Sequence, residues 1–419
     1  MGSTIAGHTD FKADAVLDAD IHFKHSVSGN SAKPEAILLT GATGFFGAYL
    51  LEELLRKTEA DIHCLIRCKG DAALGKKRIE EHLRFYALWK EEFAFRIIPV
   101  PGDLSQPMLG LTQQQFCELG ERTDVIYHNG AWINSVYPYS ELKKTNVSGT
   151  QEILRFAGCT KTKPVHFVST IAVFFTESFN ERKILETDMP NPDAGLKGGY
   201  KQSKCVAEHL VKAAQERGLP ACIYRPARIM GHSKTGITRN FKDYLISMIK
   251  ACILLEKYPD LETPLYLVPA DYAAQALVHL SKQEHAGGKT FHILNPRPVM
   301  WKDFFEQIRE MGYCLEKVSP EHWHSELAAQ AAGNRKNKLF QMLHFVLKSP
   351  NALLTPKPEI DAAHTVQGLR ETSIVCPPVD RELVFTWISY FQNSGHIPLP
   401  VASTPLSDRT AHKQQECKN

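Results

Sequence analysis

Between residues 35 and 225, short apolar runs alternate with longer stretches of helical period. "EAILLT" (35–40), "DIHCLI" (61–66), "RIIPVP" (96–101), "DVIYHN" (124–129), "PVHFVS" (164–169) and "PACIYR" (220–225) are the apolar runs. Continuous runs of this kind, rich in β-branched residues, predict strands buried on both faces of a parallel sheet. Between them, "FFGAYLLEELLRK", "YSELKKTNVSGTQEILRFA" and "SKCVAEHLVKAAQERG" carry helical patterns. The alternation predicts an α/β, doubly wound sheet over residues 34–225, with a helical insertion at about 70–96. After residue 226 the rhythm breaks, and "NFKDYLISMIKACILLE" and "AAQALVHLSK" read as helices. Residues 226–400 are therefore expected to form a smaller, mainly helical part. An N-terminal arm (1–33) and a polar tail (401–419) complete the division.

Composition narrows the class without naming the chemistry. Of 419 residues 43% are hydrophobic and 23% charged, the balance of a globular protein. A net charge of +3 is too small to mark a nucleic-acid surface. No charged-then-apolar leader and no run of about 18 apolar residues occurs, so a soluble, cytoplasmic protein without a membrane partner is expected. The ten cysteines are scattered without a CxxC pair, which predicts reduced thiols and no metal site.

The stretch "LLTGATGFFGAYLLEELLRK" (38–57) places Gly41, Gly44 and Gly47 between a buried strand and a helix. Unpaired backbone N–H groups and the helix dipole attract an anion there. Gly41 permits the tight turn, Gly44 the close approach of a pyrophosphate, and Gly47 the packing of helix on strand. This is the signature of a Rossmann-type dinucleotide site. An NAD site would carry an acid at the end of the second strand, but "CLIRCKG" offers Arg67 and Lys69 instead. A guanidinium suits a 2′-phosphate, so NADPH is the expected cofactor.

A reductase on this scaffold needs a proton donor, and a Tyr with a Lys four residues later on one helix face would serve. The spacing occurs four times, as "YALWK" (86–90), "YSELK" (139–143), "YKQSK" (200–204) and "YCLEK" (313–317). Only "YKQSK" opens the helix that follows "VHFVST", whose Ser169 and Thr170 end the fifth strand at the ligand crevice.

Together, "TGATGFFG", "VHFVSTIAVF", "GGYKQSK" and "YRPARIMGHSKTG" resemble extended short-chain dehydrogenase/reductases. Within that group the chain resembles the thioester reductase domains that end many nonribosomal peptide and polyketide synthetases, with the terminal domains of carboxylic acid reductases as close relatives. The similarity runs from about residue 10 to about residue 400. It implies Thr170, Tyr200 and Lys204 as the catalytic triad, the last two also touching the cofactor. It implies Gly41, Thr43, Gly44, Phe45, Phe46 and Gly47 around the pyrophosphate, and Arg67 with Arg78 on the 2′-phosphate. Asp103 and Leu104 of "PGDLS" match the adenine-side contact, and Asn129, Gly130 and Ala131 of "HNGA" the inner groove.

The implied reaction is NADPH-dependent reductive release of an acyl or peptidyl thioester, held on the phosphopantetheine arm of a carrier protein, to an aldehyde or onward to the alcohol. Lys204 is expected to lower the Tyr200 pKa and hold the ribose. The C-terminal part is expected to bind substrate, and the chain to act as a monomer. No adenylation or carrier module and no GxDS-like attachment site occurs in the sequence, so the carrier is expected in trans or on a longer protein. Three alternatives stay open: an NADP-dependent enzyme acting on a free carbonyl, alcohol or sugar nucleotide, an acyl-CoA reductase, and a non-catalytic NADP-binding regulator. The insertion, with Lys76, Lys77, Arg78 and Arg84 beside Phe85, Tyr86, Leu88 and Trp89, is read as two helices and a docking surface for the carrier.

Overall fold

A computed structural model describes residues 11–24, 33–134, 136–176, 182–283, 286–333 and 357–400. The polar tail and, within the expected arm, residues 1–10 and 25–32 lie outside them. All six expected strands form: β1 (Ala36–Thr40), β2 (Asp61–Ile66), β3 (Ile97–Pro101), β4 (Val125–His128), β5 (Val165–Val168) and β6 (Ala221–Pro226). A seventh, β7 (Thr290–Ile293), falls in the region read as mainly helical.

The strands make one parallel sheet in the order β7-β6-β5-β4-β1-β2-β3. Every residue of β1, β4, β5 and β6 is buried, which is why these runs show no polar alternation. The order turns back between β1 and β4, where Thr40 and His128 lie in register. Ligands of such sheets bind at the carboxyl ends of the strands, at this switch point.

The connecting helices are α1 (Phe45–Lys57), α2 (Ala72–Phe85), α3 (Gln113–Arg122), α4, α5 (Gly199–Glu216) and α6 (Ala270–Ser281). Helix α4 is one helical run of three pieces, Tyr139–Lys143, a π turn at Lys144–Ser148, and Gly149–Gly158. Two of its π-turn residues, Asn146 and Val147, are buried. The insertion after β2 is one α-helix followed by a 3-10 turn (Glu91–Phe95), not two helices. Asp71 starts α2 by accepting a bond from the Leu74 N–H at 3.0 Å.

The chain divides into two compact units. The first comprises residues 1–229, 270–294 and 358–375, so α6 and β7 belong with the sheet although they lie beyond residue 226. Residues 11–24 are fastened to it: Tyr139 Oη and Lys143 Nζ donate to the Asp14 carboxylate at 2.7 and 2.6 Å. Arg217 donates to the carbonyls of Leu17 and Ile21. A fully buried ion pair, Arg225–Glu208 at 2.7 Å, ties β6 to α5.

The second unit comprises residues 230–269, 295–357 and 376–419. Its helices include Tyr244–Leu255, Trp301–Glu310 and Arg381–Asn393. They enclose a core in which Trp301, Phe304, Phe305, Trp323, Trp387 and Phe391 are buried. Among the described residues no helix is long and apolar enough to cross a membrane.

Candidate active site

The glycine turn follows from sterics. Gly41 has φ +77°, and a Cβ there would lie 2.8 Å from the Gly130 backbone. A Cβ on Gly47 would lie 1.9 Å from the Gly41 carbonyl oxygen, so this glycine lets α1 pack on the turn itself. Gly44 differs, since its φ is −84° and a Cβ would meet only the Gly41 oxygen at 3.2 Å. It is the exposed N-cap of α1 and supplies no side-chain cap. The first N–H groups of a 13-residue helix therefore open outward beside the switch point, where an anion would complete them. Thr43 and Phe45 are half-buried and Phe46 is buried.

Three loops meet at this end of the sheet. Asn129 Nδ2 donates to the Gly41 carbonyl at 3.4 Å. A Cβ on Gly130 would strike Leu104 Cδ1 at 2.6 Å and Thr40 Oγ1 at 2.9 Å. The turn carrying Asp103 and Leu104 is closed by Asp103 Oδ1, which accepts from the Ser105 N–H at 2.8 Å. The structure thus brings Gly41, Leu104, Asn129 and Gly130 into contact, with Asp103 and Ala131 on the same two loops. Beneath them lie Thr40 and His128, the first residues of "TGATGFFG" and "HNGA", to which those motifs assign no role. Thr40 Oγ1 accepts from the Gly130 N–H at 2.8 Å and lies 2.8 Å from His128 Nδ1.

Beyond β2, Arg78 on α2 donates to the backbone carbonyl of Arg67, and both side chains are exposed. The two arginines expected to share an anion are therefore neighbours. His82, one turn further along α2, places Nε2 3.0 Å from the Gly44 carbonyl oxygen and so ties the insertion to the glycine turn. Its position 38 residues from Gly44 gives no sequence signal. The apolar docking surface expected on the insertion loses Tyr86, which is buried among Phe45, Tyr49, His82 and Phe85. Arg84 is paired with Glu80 and Glu91.

Helix α5 opens where "GGY" leads into it. Gly198 has φ +96°, and a Cβ on Gly199 would lie 2.5 Å from the backbone of residues 137–139. Tyr200 follows, half-buried, with its hydroxyl hydrogen-bonded to no described residue. Burial raises its pKa, so the phenol stays protonated at neutral pH. Lys204 is only 2% exposed. Its Nζ donates to the Val168 carbonyl at 2.7 Å and sits 3.9 Å from the centre of the Phe167 ring. Burial pushes the Lys204 pKa down to about 7, with the Glu208 carboxylate opposing. The expectation that Lys204 lowers the Tyr200 pKa is not met here, because burial dominates the phenol and the ammonium is committed to Val168. Of the two hydroxyls ending β5, Ser169 is buried and Thr170 half-buried. Thr170 Oγ1 accepts from the Ala172 N–H at 3.2 Å, which leaves its own proton to donate.

The other YxxxK matches have structural duties. Tyr139 and Lys143 clasp Asp14. Tyr313 donates to the Pro398 carbonyl at 2.6 Å. Tyr86 packs in the aromatic cluster described above, and Lys90 lies over the Phe93 ring.

The chain belongs to the NAD-binding family described as "Male sterility protein", whose model matches residues 39–277. Within the extended short-chain dehydrogenase/reductases, its relatives are terminal reductase domains of nonribosomal peptide and polyketide synthetases. It is 42% identical over 391 residues to a linear gramicidin synthase polypeptide of Brevibacillus parabrevis, covering 92% of this chain and 8% of that one. It is 36% identical over 394 residues to "Isonitrile lipopeptide synthase" of Streptomyces coeruleorubidus, covering 93% of this chain and 26% of that one. The chain thus spans a small part of these curated relatives. The crystal structure of the terminal R domain from the myxalamid PKS-NRPS pathway superposes with a TM-score of 0.88 at 40% identity, covering 93% of this chain and 98% of that one.

Proposed function

We propose that this chain is an NADPH-dependent thioester reductase that releases a carrier-bound acyl or peptidyl group as an aldehyde. The observation that supports the reading is Tyr200: its phenol is protonated and hydrogen-bonded to no described residue, and it opens α5, whose Lys204 reaches the Val168 carbonyl at the carboxyl end of β5. Kinship with synthetase terminal reductase domains supports the thioester as substrate.

The residues present fit a dinucleotide with a 2′-phosphate. The uncapped start of α1, with Gly41, Thr43, Gly44, Phe45, Phe46 and Gly47, would hold the pyrophosphate, and Arg67 and Arg78 the 2′-phosphate. Asp103 and Leu104 would lie on the adenine side, Asn129, Gly130 and Ala131 along the inner groove, and Lys204 at the ribose. When bound, NADPH supplies the hydride. Thr170 and Tyr200 would donate hydrogen bonds to the oxygen of the thioester carbonyl as negative charge grows on it. Tyr200 then gives up its proton. The hemithioacetal collapses to aldehyde and thiol, and a second round on the aldehyde gives the alcohol.

The test is a panel of acyl-pantetheine thioesters with NADPH. Aldehyde and free thiol should form in step with cofactor consumption. Release of acid with no loss of NADPH would overturn the reading.

A further inference from the structure

A buried chain of hydrogen bonds joins the glycine turn to the Tyr200 helix, with His128 at its centre. On one side, Thr40 Oγ1 accepts from the Gly130 N–H and meets His128 Nδ1 at 2.8 Å. On the other, His128 Nε2 meets Thr150 Oγ1 at 3.0 Å. Thr150 donates its only proton to the Asn146 carbonyl at 2.7 Å. The Asn146 side chain grips the Trp132 backbone, accepting from its N–H at 2.7 Å and donating to its carbonyl at 3.1 Å. It also donates to Ser203 Oγ at 2.9 Å, and Ser203 donates to the Tyr200 carbonyl at 2.8 Å. Thr40, His128, Asn146, Thr150 and Ser203 are all at most 1% exposed.

The partners fix the imidazole. With its proton committed to Asn146, Thr150 can only accept, so His128 carries hydrogen on Nε2. Burial, reinforced by the nearby Lys204 charge, pushes the His128 pKa down to about 3 and keeps the ring neutral. Nδ1 is therefore bare and accepts from the Thr40 hydroxyl. One side of the ring holds the turn that would bind the pyrophosphate, and the other holds the helices that carry Asn146 and Tyr200.

We propose that His128 is a positioning residue that couples the cofactor turn to the catalytic helix through its two ring nitrogens. The proposal rests on the reductase reading for its rate arm only. If it holds, the two sides separate by substitution. His128→Asn keeps an oxygen near the place of Nδ1 for Thr40 but no longer reaches Thr150. His128→Gln keeps an N–H near the place of Nε2 for Thr150 but loses the acceptor for Thr40.

The experiment measures NADPH Kd by fluorescence and kcat at saturating NADPH with an acyl-pantetheine thioester. His128→Asn should lower kcat about tenfold with Kd within about twofold of wild type, the scale of one lost buried hydrogen bond. His128→Gln should raise Kd about tenfold and leave kcat within about twofold. Nitrogen NMR of isotope-labelled histidine in the cofactor-free protein should show His128 protonated on Nε2 alone. Parallel changes of Kd and kcat in both variants, or no change in either, would overturn the proposal, as would an Nδ1-protonated ring. If neither variant folds, Thr150→Val should reproduce the pattern of His128→Asn, and an equal loss in Kd and kcat would count against the coupling. If wild-type protein binds NADPH but reduces no thioester, the reductase reading fails separately. The cofactor arm then decides: His128→Gln must bind NADPH more weakly than His128→Asn, or the proposal falls.

Discussion

Lys204 Nζ donates to the carbonyl oxygen of Val168 at 2.7 Å, from a side chain almost wholly withdrawn from solvent. Its pKa lies near 7 in the folded protein against an ordinary lysine value of 10.5. Between those values the unfolded chain binds a proton that the folded chain does not, so stability gains with rising pH, at up to about 1.4 kcal/mol per unit for one group. Lys204→Met removes that dependence. The stability of the variant minus that of wild type should fall as pH rises from about 7 toward 10, measured by denaturant unfolding. A difference that stays flat over this range would show that Lys204 is not buried as a strained base. The same variant should lose reductase activity.

Arg78 holds the Arg67 carbonyl, and both side chains would meet the same anion. Arg67→Ala should weaken NADPH binding by about 1.5–3 kcal/mol and leave NADH nearly unchanged. Arg78→Ala should show the same preference, because it removes one guanidinium and the bond that holds the Arg67 backbone. Calorimetric titration of both cofactors checks this, and equal losses for NADPH and NADH would refute the assignment.

Gly44 and Gly47 should separate binding from folding. A Cβ at residue 47 would lie 1.9 Å from a backbone oxygen, whereas at residue 44 only a small shift is needed. Gly47→Ala should destabilise the protein by about 3 kcal/mol or more, since backbone must move to relieve the overlap. Gly44→Ala should stay within about 1 kcal/mol of wild type yet lose at least about tenfold in NADPH affinity, because its methyl occupies the approach to the helix N-terminus. Thermal melts with and without NADPH distinguish the two. A Gly44→Ala protein with full affinity would remove the pyrophosphate from this turn.

Tyr139 and Tyr200 have the same YxxxK spacing and opposite expectations. Tyr139→Phe breaks the bond to Asp14 and should cost about 1 kcal/mol of stability with turnover intact. Tyr200→Phe should leave stability unchanged and lower turnover by about 10²–10⁴-fold. Unfolding curves and initial rates on both variants check this pair. Turnover lost in Tyr139→Phe and kept in Tyr200→Phe would reverse the choice of helix.

Much of the sheet and the crevice is legible in the sequence because both depend on local rules. Buried parallel strands are apolar throughout, and a positive φ demands glycine at residue 41. β7 is not legible, because "TFHI" is four residues long and follows a helix outside the regular alternation. The insertion reads as two exposed helices because its aromatics lie close together in the chain, whereas Tyr86 is the centre of a packed cluster. His82 and Asn146 give no signal, since a lone polar residue announces its role only when the fold supplies the partner, and "HNGA" does not show what the ring of its first residue, His128, will meet. Thr40 and His128 are 88 residues apart in the chain and side by side in the sheet.

The most direct measurement follows the hydride itself. Wild-type protein, an acyl-pantetheine thioester and NADPH deuterated at the transferring carbon are incubated, and the product is identified by mass spectrometry. Hydride transfer to the thioester predicts an aldehyde with one deuterium on its carbonyl carbon, or an alcohol with two, and a yield that collapses in Tyr200→Phe. An unlabelled product, or labelled aldehyde formed equally fast by Tyr200→Phe, would contradict it.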